Sequence, residues 1–274
     1  MHFPAGLYIV ATPIGNIKDI TLRAIEVLQK SDYILCEDSR VAHKLLAKYA
    51  IKAKLMLYND HSDNTIRAKV ADLIANSNIV SMISDAGTPL ISDPGYKLVR
   101  YLQDIGVMID FLPGACAPIA ALCLSGMASD RFAFMGFVPK STNEKIALFQ
   151  ESNKMNLTTI FFDTAPRLLD SLSIALQTMG NKNAAIVREI TKMHQEIIKG
   201  DLQTLVNILT HRTLKGEIVF LIERAEIIPI EDMQILEKLN ILRSEGFSIR
   251  DCVKILSLLF NNNKTHIYNI AKNL

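Results

Sequence analysis

The chain has 274 residues, of which 49% are hydrophobic and 21% charged, and its formal net charge is only +2. This composition is that of a globular protein with a sizeable core, and it excludes an intrinsically disordered chain. Because the net charge is small, any surface for nucleic acid must be a local patch. The four cysteines and six histidines show no zinc-ligand spacing, so we expect no metal site and reduced thiols in the core of a cytoplasmic protein.

We expect neither a signal peptide nor a membrane span. The N-terminal stretch MHFPAGLYIV lacks a basic leader followed by an apolar run. The most apolar segment, 115–127, is interrupted by Pro118 and is shorter than a membrane-spanning helix requires.

Short apolar runs alternate with amphipathic stretches through the first half of the chain. A helix that begins at Asp19 or Thr21 follows the first run and places Leu22, Ile25 and Leu28 on one face. The alternation is typical of βαβ units and predicts an α/β domain over 1–138 with a mainly parallel sheet. The runs lie at 7–12, 33–38, 53–58, 79–84 and 107–113.

The pattern changes near Val138, where we place a domain boundary. Strand-like runs are closer together beyond it, at 158–163, 184–190, 194–200 and 216–223. Only short helical stretches separate some of these runs, which predicts a second α/β domain over 139–229 with a mixed sheet.

The C-terminal segment, 230–274, is predicted to contain helices only. Two short helices, 248–260 and 265–274, are joined by a turn. Four basic residues stand against one acidic residue in 248–274, which gives a charge of +3; they are Arg250, Lys254, Lys264 and Lys272, against Asp251.

Unusual turns follow several of the predicted strands. They are TPIGN (12–16), EDSR (37–40), SDAGTP (84–89) and LPGACA (112–117). If these strands are parallel in one sheet, all four turns lie along one rim, where open α/β sheets bind their ligands. The first turn carries only Gly15 and lacks GxGxxG, which argues against a dinucleotide or polyphosphate site.

The stretch SDAGTPLISDPG (84–95) is acidic, contains two glycines and has no lysine or arginine. A cation-free pocket of this kind suits a positively charged ligand with hydroxyl groups and no phosphate, and S-adenosylmethionine has these properties. Asp85 is placed to accept hydrogen bonds from an ammonium or a ribose, and Gly87 lets the backbone come close. In the alternative interpretation Asp85 and Asp93 cap the turns that follow them, which we favour for Asp93.

Several motifs together identify a family. In order, the chain carries LYIVATPIGNIKDITLRAIEVL, CEDSR, SDAGTPLISDPGYKLV, LPGACA, SDRFAFMGFVP, REITK and KGEIVFLIE. Over nearly its whole length it resembles the RsmI family of small-subunit 16S ribosomal RNA cytidine 2′-O-methyltransferases, in the tetrapyrrole (corrin/porphyrin) methylase superfamily. The resemblance implies two α/β domains with S-adenosylmethionine in the cleft between them, a homodimer, and methylation of a decoding-region cytidine on its ribose.

The resemblance also assigns residues. The cofactor loops correspond to Pro13, Gly15, Asp85, Ala86, Gly87, Thr88, Pro89, Pro113 and Gly114. The acidic motif corresponds to Glu37, Asp38 and Arg40, with Ser39 in place of the commoner threonine. Ala115-Cys116 stands where Pro-Ser is usual. FFDTAPR (161–167) stands where a Tyr-Glu-Ala-Pro-His-Arg run is usual, so only Arg167 carries over there.

The reaction requires the attacking oxygen, the methyl carbon and the sulfur to be in line. Positioning can supply about 7 kcal/mol or more of the acceleration, and a base that takes the hydroxyl proton would add roughly 10²–10⁴-fold. Candidates for this base are Glu37, Asp38 and Glu189, or Lys192 if burial lowers its pKa. The alternative for Glu189 is a structural ion pair with Arg188 or Arg40.

Basic residues are the candidate contacts to RNA phosphates. Arg40, Arg167 and Arg188 lie near the motifs, and Arg250, Lys254 and Lys264 lie in the helical segment, whose alternative role is structural packing. Two other functions stay open: C-methylation of a tetrapyrrole such as a precorrin or uroporphyrinogen, and a non-catalytic module that binds S-adenosylmethionine or RNA.

Overall fold

The computed structural model describes residues 3–59, 64–224, 232–260 and 263–272. The chain forms two compact units, 1–225 and 226–274, which we describe separately. The predicted junction at 229/230 lies outside the described residues. Within the described ranges, no helix is both long enough and apolar enough to cross a lipid bilayer.

The first sheet contains five strands, and every neighbouring pair is parallel, as the alternating pattern predicts. The strands are β1 (Gly6–Val10), β2 (Tyr33–Cys36), β3 (Lys54–Leu57), β4 (Ile79–Met82) and β5 (Ile109–Leu112), in the spatial order β3-β2-β4-β1-β5. The chain winds outward from β1 to β3 and then returns to β4, so the order reverses between β4 and β1. The carboxyl ends of these two strands are where an open α/β sheet leaves a crevice.

Helices cover both faces of the first sheet. They are α1 (Leu22–Lys30), α2 (Ser39–Lys48), α3 (Asn64–Ala75) and α4 (Tyr96–Asp104), with a short 3-10 turn at Ile17–Asp19 ahead of α1. Helices α1 and α2 pack in one apolar cluster with β1 and β2, whereas α3 and α4 pack in a second cluster on the other face. We call this sheet with α1–α4 the first lobe.

The predicted apolar face of α1 is wrong at Leu22, whereas Leu28 is buried and Ile25 packs against the same core. Ala24, Val27 and Leu28 are buried, whereas Leu22 is 80% exposed. Thr21 caps the helix by accepting the Ala24 N–H, and the buried stripe runs at the i, i+3, i+4 spacing from Ala24. Leu22 lies two positions earlier, about 200° around the helix, and therefore faces solvent.

The second sheet is mixed, as expected, but it starts earlier in the chain than the sequence indicates. Its strands are β6 (Phe132–Phe137), β7 (Thr158–Thr164), β8 (Asn183–Arg188), β9 (Glu196–Asp201) and β10 (Glu217–Ile222), in the order β6-β7-β10-β8-β9. Strand β6 pairs parallel with β7, and the other three pairs are antiparallel. Strand β6 is not predicted from the sequence; it precedes Val138 and already belongs to this sheet.

Helices cover both faces of the second sheet as well. They are α5 (Ala117–Ser125), α6 (Thr142–Met155), α7 (Ala165–Met179) and α8 (Leu202–Thr210). Helices α6–α8 form the large core of one face around Phe149, Phe161 and Phe220. Helix α5 covers the other face, and in the same cluster Ile14 of the first lobe contacts the second sheet. We call the second sheet with α5–α8 the second lobe.

The C-terminal unit contains three helices, α9 (Asp232–Ser244), α10 (Ile249–Leu259) and α11 (Lys264–Ala271). The two predicted helices are confirmed as α10 and α11. The three helices share an apolar core that includes Ile235, Leu256 and Ile267. Ser248 caps α10 by accepting the Asp251 N–H, and His266 pairs with Asp232 of α9. The unit therefore has a core of its own.

The prediction of core thiols holds for two of the four cysteines. All four are free; Cys36 and Cys252 are buried, Cys116 is half-buried and Cys123 is exposed on α5. Burial, followed by the nearby carboxylates of Asp85, Asp38 and Glu37, raises the pKa of the Cys36 thiol to about 11. Cys36 is therefore a protonated core residue at neutral pH.

Candidate functional site

A cavity of about 820 Å³ lies between the two lobes of the first unit. The first lobe contributes Ile14, Glu37, 85–88 and 91–93, and the second contributes 116–118 at the start of α5, Phe137, 162–166, Ile190 and 213–219. The first-lobe residues follow β1, β2 and β4, and 116–118 follow β5, so the turns of the predicted rim all border one cavity. The cavity stands at the order reversal between β1 and β4, as the general rule for open sheets requires.

Hydrogen bonds lock the loops of the first lobe together. The Thr12 N–H donates to the Gly87 carbonyl at 2.8 Å, and the Gly87 N–H donates back to the Thr12 carbonyl at 3.1 Å. The Thr88 hydroxyl donates to the Ala115 carbonyl at 3.0 Å, and the Asp38 N–H donates to the Asp85 carboxylate at 3.2 Å. Four separate turns thus form one rigid surface, which is a requirement for positioning a ligand.

The backbone of the central loop requires a glycine at position 87. Gly87 has φ +86°, a conformation that side chains rarely adopt, and a Cβ there would lie 3.1 Å from Ile14 Cγ2. The next helix, α4, is capped by Gly95 without a side-chain hydrogen bond. Asp93 lines the cavity, and its capping of the turn that follows it stays a prediction.

The two acids of the EDSR motif have different surroundings. Asp38 is the N-cap of α2 and accepts the Arg40 N–H at 2.8 Å. The Arg40 guanidinium also pairs with this carboxylate and, with the backbone hydrogen bond, holds the pKa of Asp38 at about 2. Glu37 instead lines the cavity. Of the pair, Glu37 is the acid in contact with the site, and Asp38 fixes the start of α2.

The second-lobe wall is built around a buried carboxylate. The Asp163 side chain is fully buried and accepts hydrogen bonds from Arg167 at 2.7 Å and from the Ser171 hydroxyl at 2.6 Å. Arg167 also donates to the Val138 carbonyl at 3.1 Å. This network fixes the first turn of α7, whose residues Thr164–Pro166 line the cavity.

Glu189 and Lys192 form an ion pair in the turn between β8 and β9. Lys192 Nζ lies 3.0 Å from Glu189 Oε1 and 3.1 Å from Glu217 Oε2, and the Glu189 carboxylate accepts the Glu217 N–H at 2.9 Å. Burial would lower the pKa of Lys192, but its hydrogen bonds to Glu189 and Glu217 outweigh that effect and the pKa is raised. Lys192 is a candidate base only if burial lowers its pKa, and this condition is not met. Glu189 pairs with Lys192 rather than with Arg188 or Arg40.

The structure separates the predicted site residues into two groups. Those that line the cavity are Glu37, Asp85, Ala86, Gly87 and Thr88. Those that lie in or beside the same loops but outside the lining are Pro13, Gly15, Asp38, Pro89, Pro113, Gly114, Glu189 and Lys192. Close packing requires a glycine at position 114, because a Cβ there would lie 2.9 Å from the Ala11 side chain.

Most of the second-lobe wall is not predicted from the sequence. Asp163 lies on β7, Ile190 follows β8, and 213–219 lead into the start of β10. The strands are antiparallel, with Glu217 opposite Thr164 and Ile218 opposite Arg188. The start of β10 therefore lies beside the ends of β7 and β8, and a rule based on the carboxyl ends of parallel strands does not find it.

The lining of the cavity contains more acidic than basic side chains. Its acidic residues are Glu37, Asp85, Asp93, Asp163 and Glu217, and among the described lining residues Lys215 is the one with a basic side chain. The expectation of a cation-free pocket is therefore wrong at Lys215, which precedes β10 in the second lobe. That expectation rested on the first-lobe loop 84–95, which has no lysine or arginine. Asp163 is paired with Arg167 and Glu217 with Lys192. The other three acids against one lysine still make this a poor site for a polyphosphate.

The predicted RNA contacts fall into two classes. Arg167 and Arg188 have protein partners, Asp163 for the first and Glu196 at 2.7 Å for the second. The Arg40 side chain is 87% exposed beside Asp38. The basic residues of the helical unit, Arg250, Lys254 and Lys264, are exposed on α10 and α11.

The comparisons with known proteins agree with this architecture. Residues 6–206 match the family model of Tetrapyrrole (Corrin/Porphyrin) Methylases, and the chain belongs to this family. A solved cobalt precorrin-4 methyltransferase has the same fold (TM-score 0.59, 18% identity, 79% of this chain and 94% of that chain), as does a diphthine synthase (TM-score 0.64, 13% identity, 80% and 89%).

Closer relatives share one name. The chain is 46% identical, over 99% of its length and 98% of the relative's, to the Ribosomal RNA small subunit methyltransferase I of Rickettsia prowazekii (strain Madrid E). It is 34% identical, over 96% and 93%, to the protein of the same name from Halalkalibacterium halodurans. The protein is a methyltransferase, and its reaction requires a methyl donor.

Proposed function

We propose that the chain transfers a methyl group from S-adenosylmethionine to the ribose 2′-oxygen of a decoding-region cytidine in the 16S RNA of the small ribosomal subunit. The relatives that support this acceptor match almost the full length of the chain, including the helical unit, and are named for small-subunit ribosomal RNA. The observation that carries the donor assignment is the charge of the cavity.

The lining of the cavity fits a cationic donor. Asp85 is exposed to the cavity. Gly87, in the same loop, lets a ligand come close to the backbone. A carboxylate in this position accepts hydrogen bonds from an ammonium or a ribose diol. Apolar side chains from both lobes, including Ile14, Phe162 and Ile190, supply the surface that an adenine requires.

The protein's own residues have separate tasks in the reaction. When bound, the donor supplies a methyl group on a positively charged sulfur. Glu37, at the cavity, accepts the proton of the ribose hydroxyl. Asp38 holds Glu37 in place by capping α2 and by donating its N–H to Asp85. Glu189 and Lys192 hold the wall of the second lobe rather than take a proton.

The acceptor approaches from the open side of the cavity. Phe137 is 56% exposed at the end of β6 and Ile91 is 40% exposed in the central loop, and both line the cavity. Apolar and aromatic side chains at such a mouth suit an unstacked base. The exposed Arg40, with Arg250, Lys254 and Lys264 of the helical unit, supplies phosphate contacts, and the active form is a homodimer.

Two measurements test the proposal. Calorimetry should detect binding of S-adenosylmethionine and S-adenosylhomocysteine but not of ATP or NADH. Radiolabelled methyl transfer should then be compared among assembled small subunits, naked 16S RNA and a tetrapyrrole, with 2′-O-methylcytidine as the expected product. Labelling of the tetrapyrrole alone would contradict the RNA assignment, and binding without transfer to any acceptor would favour a non-catalytic module.

A further inference from the structure

The loop that carries the TPIGN motif contacts the second lobe directly. The Asn16 N–H donates to Thr191 Oγ1 at 2.9 Å. A Cβ on Gly15 would lie 2.7 Å from the Ile190 carbonyl oxygen, 2.7 Å from Thr191 Oγ1 and 2.6 Å from Lys192 Cγ. The glycine is required here because the backbones of the two lobes meet. We call this contact, formed by Gly15, Asn16 and 190–192, the interlobe contact.

The second-lobe side of the interlobe contact is held in a strained conformation. Glu189 has φ +51° and Thr191 has φ +64°, values that side-chain-bearing residues rarely adopt. The Glu189 carboxylate accepts the Glu217 N–H and pairs with Lys192. It packs so closely on Gly216 that a Cβ there would lie 2.4 Å from Glu189 Oε1. The Thr191 N–H is itself bound by the Gln195 side chain at 2.7 Å.

The interlobe contact adjoins the cavity on both sides. Ile14 precedes Gly15 and lines the cavity from the first lobe, whereas Ile190 precedes Thr191 and lines it from the second. Both side chains are buried in the same apolar cluster. Any change in the spacing at Gly15 and Thr191 therefore changes the distance between the two walls that enclose the donor.

We propose that Gly15 and Thr191 are positioning residues that fix the separation of the two lobes and so set the affinity for the methyl donor. The Glu189–Lys192–Glu217 network maintains the strained backbone that presents the Thr191 hydroxyl to the first lobe. This inference rests on the proposed function, because it takes the interlobe cavity as the donor site.

The first test is the pair of variants Thr191→Val and Thr191→Ser. Valine keeps the shape and the β-branch but removes the acceptor, and serine keeps the acceptor. For Thr191→Val, calorimetry with S-adenosylhomocysteine should give a dissociation constant about fivefold higher, the equivalent of about 1 kcal/mol for one hydrogen bond. Hydrogen exchange at the Asn16 amide should become faster in the same variant. Thr191→Ser should restore both values, which a loss of general stability would not do.

Two further variants complete the experiment. Gly15→Ala places a methyl group against the Ile190 carbonyl and should weaken S-adenosylhomocysteine binding by about tenfold or more. Thr210→Val removes a hydroxyl that bonds within α8, to the Val206 carbonyl, and should leave donor binding unchanged. Thermal unfolding of each variant identifies any loss of the fold.

The outcomes separate this inference from the proposed function. If the wild-type chain does not bind S-adenosylhomocysteine, the donor assignment is wrong and the inference fails with it. If the wild-type chain binds and Thr191→Val binds equally well with unchanged exchange at Asn16, the donor assignment stands and the positioning role is overturned. Equal loss in Thr191→Val and Thr191→Ser would also overturn it, because the hydroxyl would then carry no effect.

Discussion

Glu37 and Asp38 are adjacent carboxylates with different surroundings. Asp38 is bound to Arg40 and to the first turn of α2, and its pKa of about 2 makes it a weak base. The two acids of one sequence motif therefore differ in position: Glu37 lines the cavity and Asp38 caps α2.

Glu37→Gln tests the proposed base. The variant should lower the methyl-transfer rate at saturating donor by about 10²–10⁴-fold, since the amide cannot accept the hydroxyl proton, while its affinity for S-adenosylhomocysteine changes little. Single-turnover kinetics with assembled small subunits measure the rate, and Glu26→Gln on the exposed side of α1 is the matched control. A wild-type rate in Glu37→Gln would remove this residue from the proton transfer.

Glu196 provides a pH test of stability. It lies between Arg212 and Arg188, at 2.8 and 2.7 Å, and these two guanidinium groups lower its pKa to about 2. Because the folded pKa is below the ordinary value of about 4.5, the stabilisation is present above pH 4.5 and is lost as the pH falls towards 2.

Glu196→Gln should therefore be less stable than the wild type at pH 6 and equally stable near pH 2. The groups are partly exposed, so the difference at pH 6 should be about 1 kcal/mol. Urea unfolding at pH 6, 4 and 2 measures it, with Glu151→Gln on α6 as the control. A difference that stays constant over this range would mean that the ion pairs carry none of the effect.

At the scale of elements, local sequence rules locate the regular strands and fail at the irregular one. The five strands of the first sheet are found because each is a short apolar run before a helix-period stretch. Strand β6 is missed because its register shifts between Phe134 and Phe137 at Gly136, whose φ is +74°. A bulge interrupts the two-residue period on which strand prediction depends.

The entry to α7 shows how an element supports the site. Asp163→Asn removes a fully buried charge and leaves Arg167 without its ionic partner. The free energy of unfolding should fall by about 3 kcal/mol. This is the lower end of the range for breaking a buried ion pair, because Arg167 is 26% exposed. Donor affinity should fall as well, since Thr164–Pro166 line the cavity.

A matched control exists on α4. Arg100 and Asp104 form an ion pair at the same i, i+4 spacing, but both side chains are more than half exposed, at 65% and 63%. Asp104→Asn should therefore change the free energy of unfolding by no more than about 0.5 kcal/mol. Urea unfolding and calorimetry measure the two effects. Equal losses in Asp163→Asn and Asp104→Asn would show that burial of Asp163 does not determine its contribution.

At the scale of the molecule, the first-lobe half of the cavity can be predicted from the sequence. In a parallel sheet the carboxyl ends of the strands share one edge, so the turns after β1, β2, β4 and β5 are predicted to meet. The other half depends on how the second sheet faces the first, and its lining residues carry no motif that specifies this. The interlobe contact at Gly15 cannot be predicted from the sequence either, because a single glycine does not show which backbone it approaches.

The helical unit carries a basic surface on α10 and α11. Its α10–α11 part carries four basic residues against Asp251, all exposed, whereas α9 balances Lys238 and Arg243 with Asp232 and Glu237. An RNA held by phosphate contacts should therefore depend on α10 and α11 more than on α9.

The triple variant Arg250→Gln, Lys254→Gln, Lys264→Gln tests this surface in the full-length chain. Each lost phosphate contact reduces the slope of log affinity against log salt by about 0.7 to 0.9, so the slope should become shallower by about 2. Filter binding of 16S RNA between 50 and 300 mM salt measures the slope, and calorimetry with S-adenosylhomocysteine should be unchanged. Lys238→Gln with Arg243→Gln on α9 is the control. An unaltered slope in the triple variant would leave the helical unit with a packing role and place the phosphate contacts on the lobes.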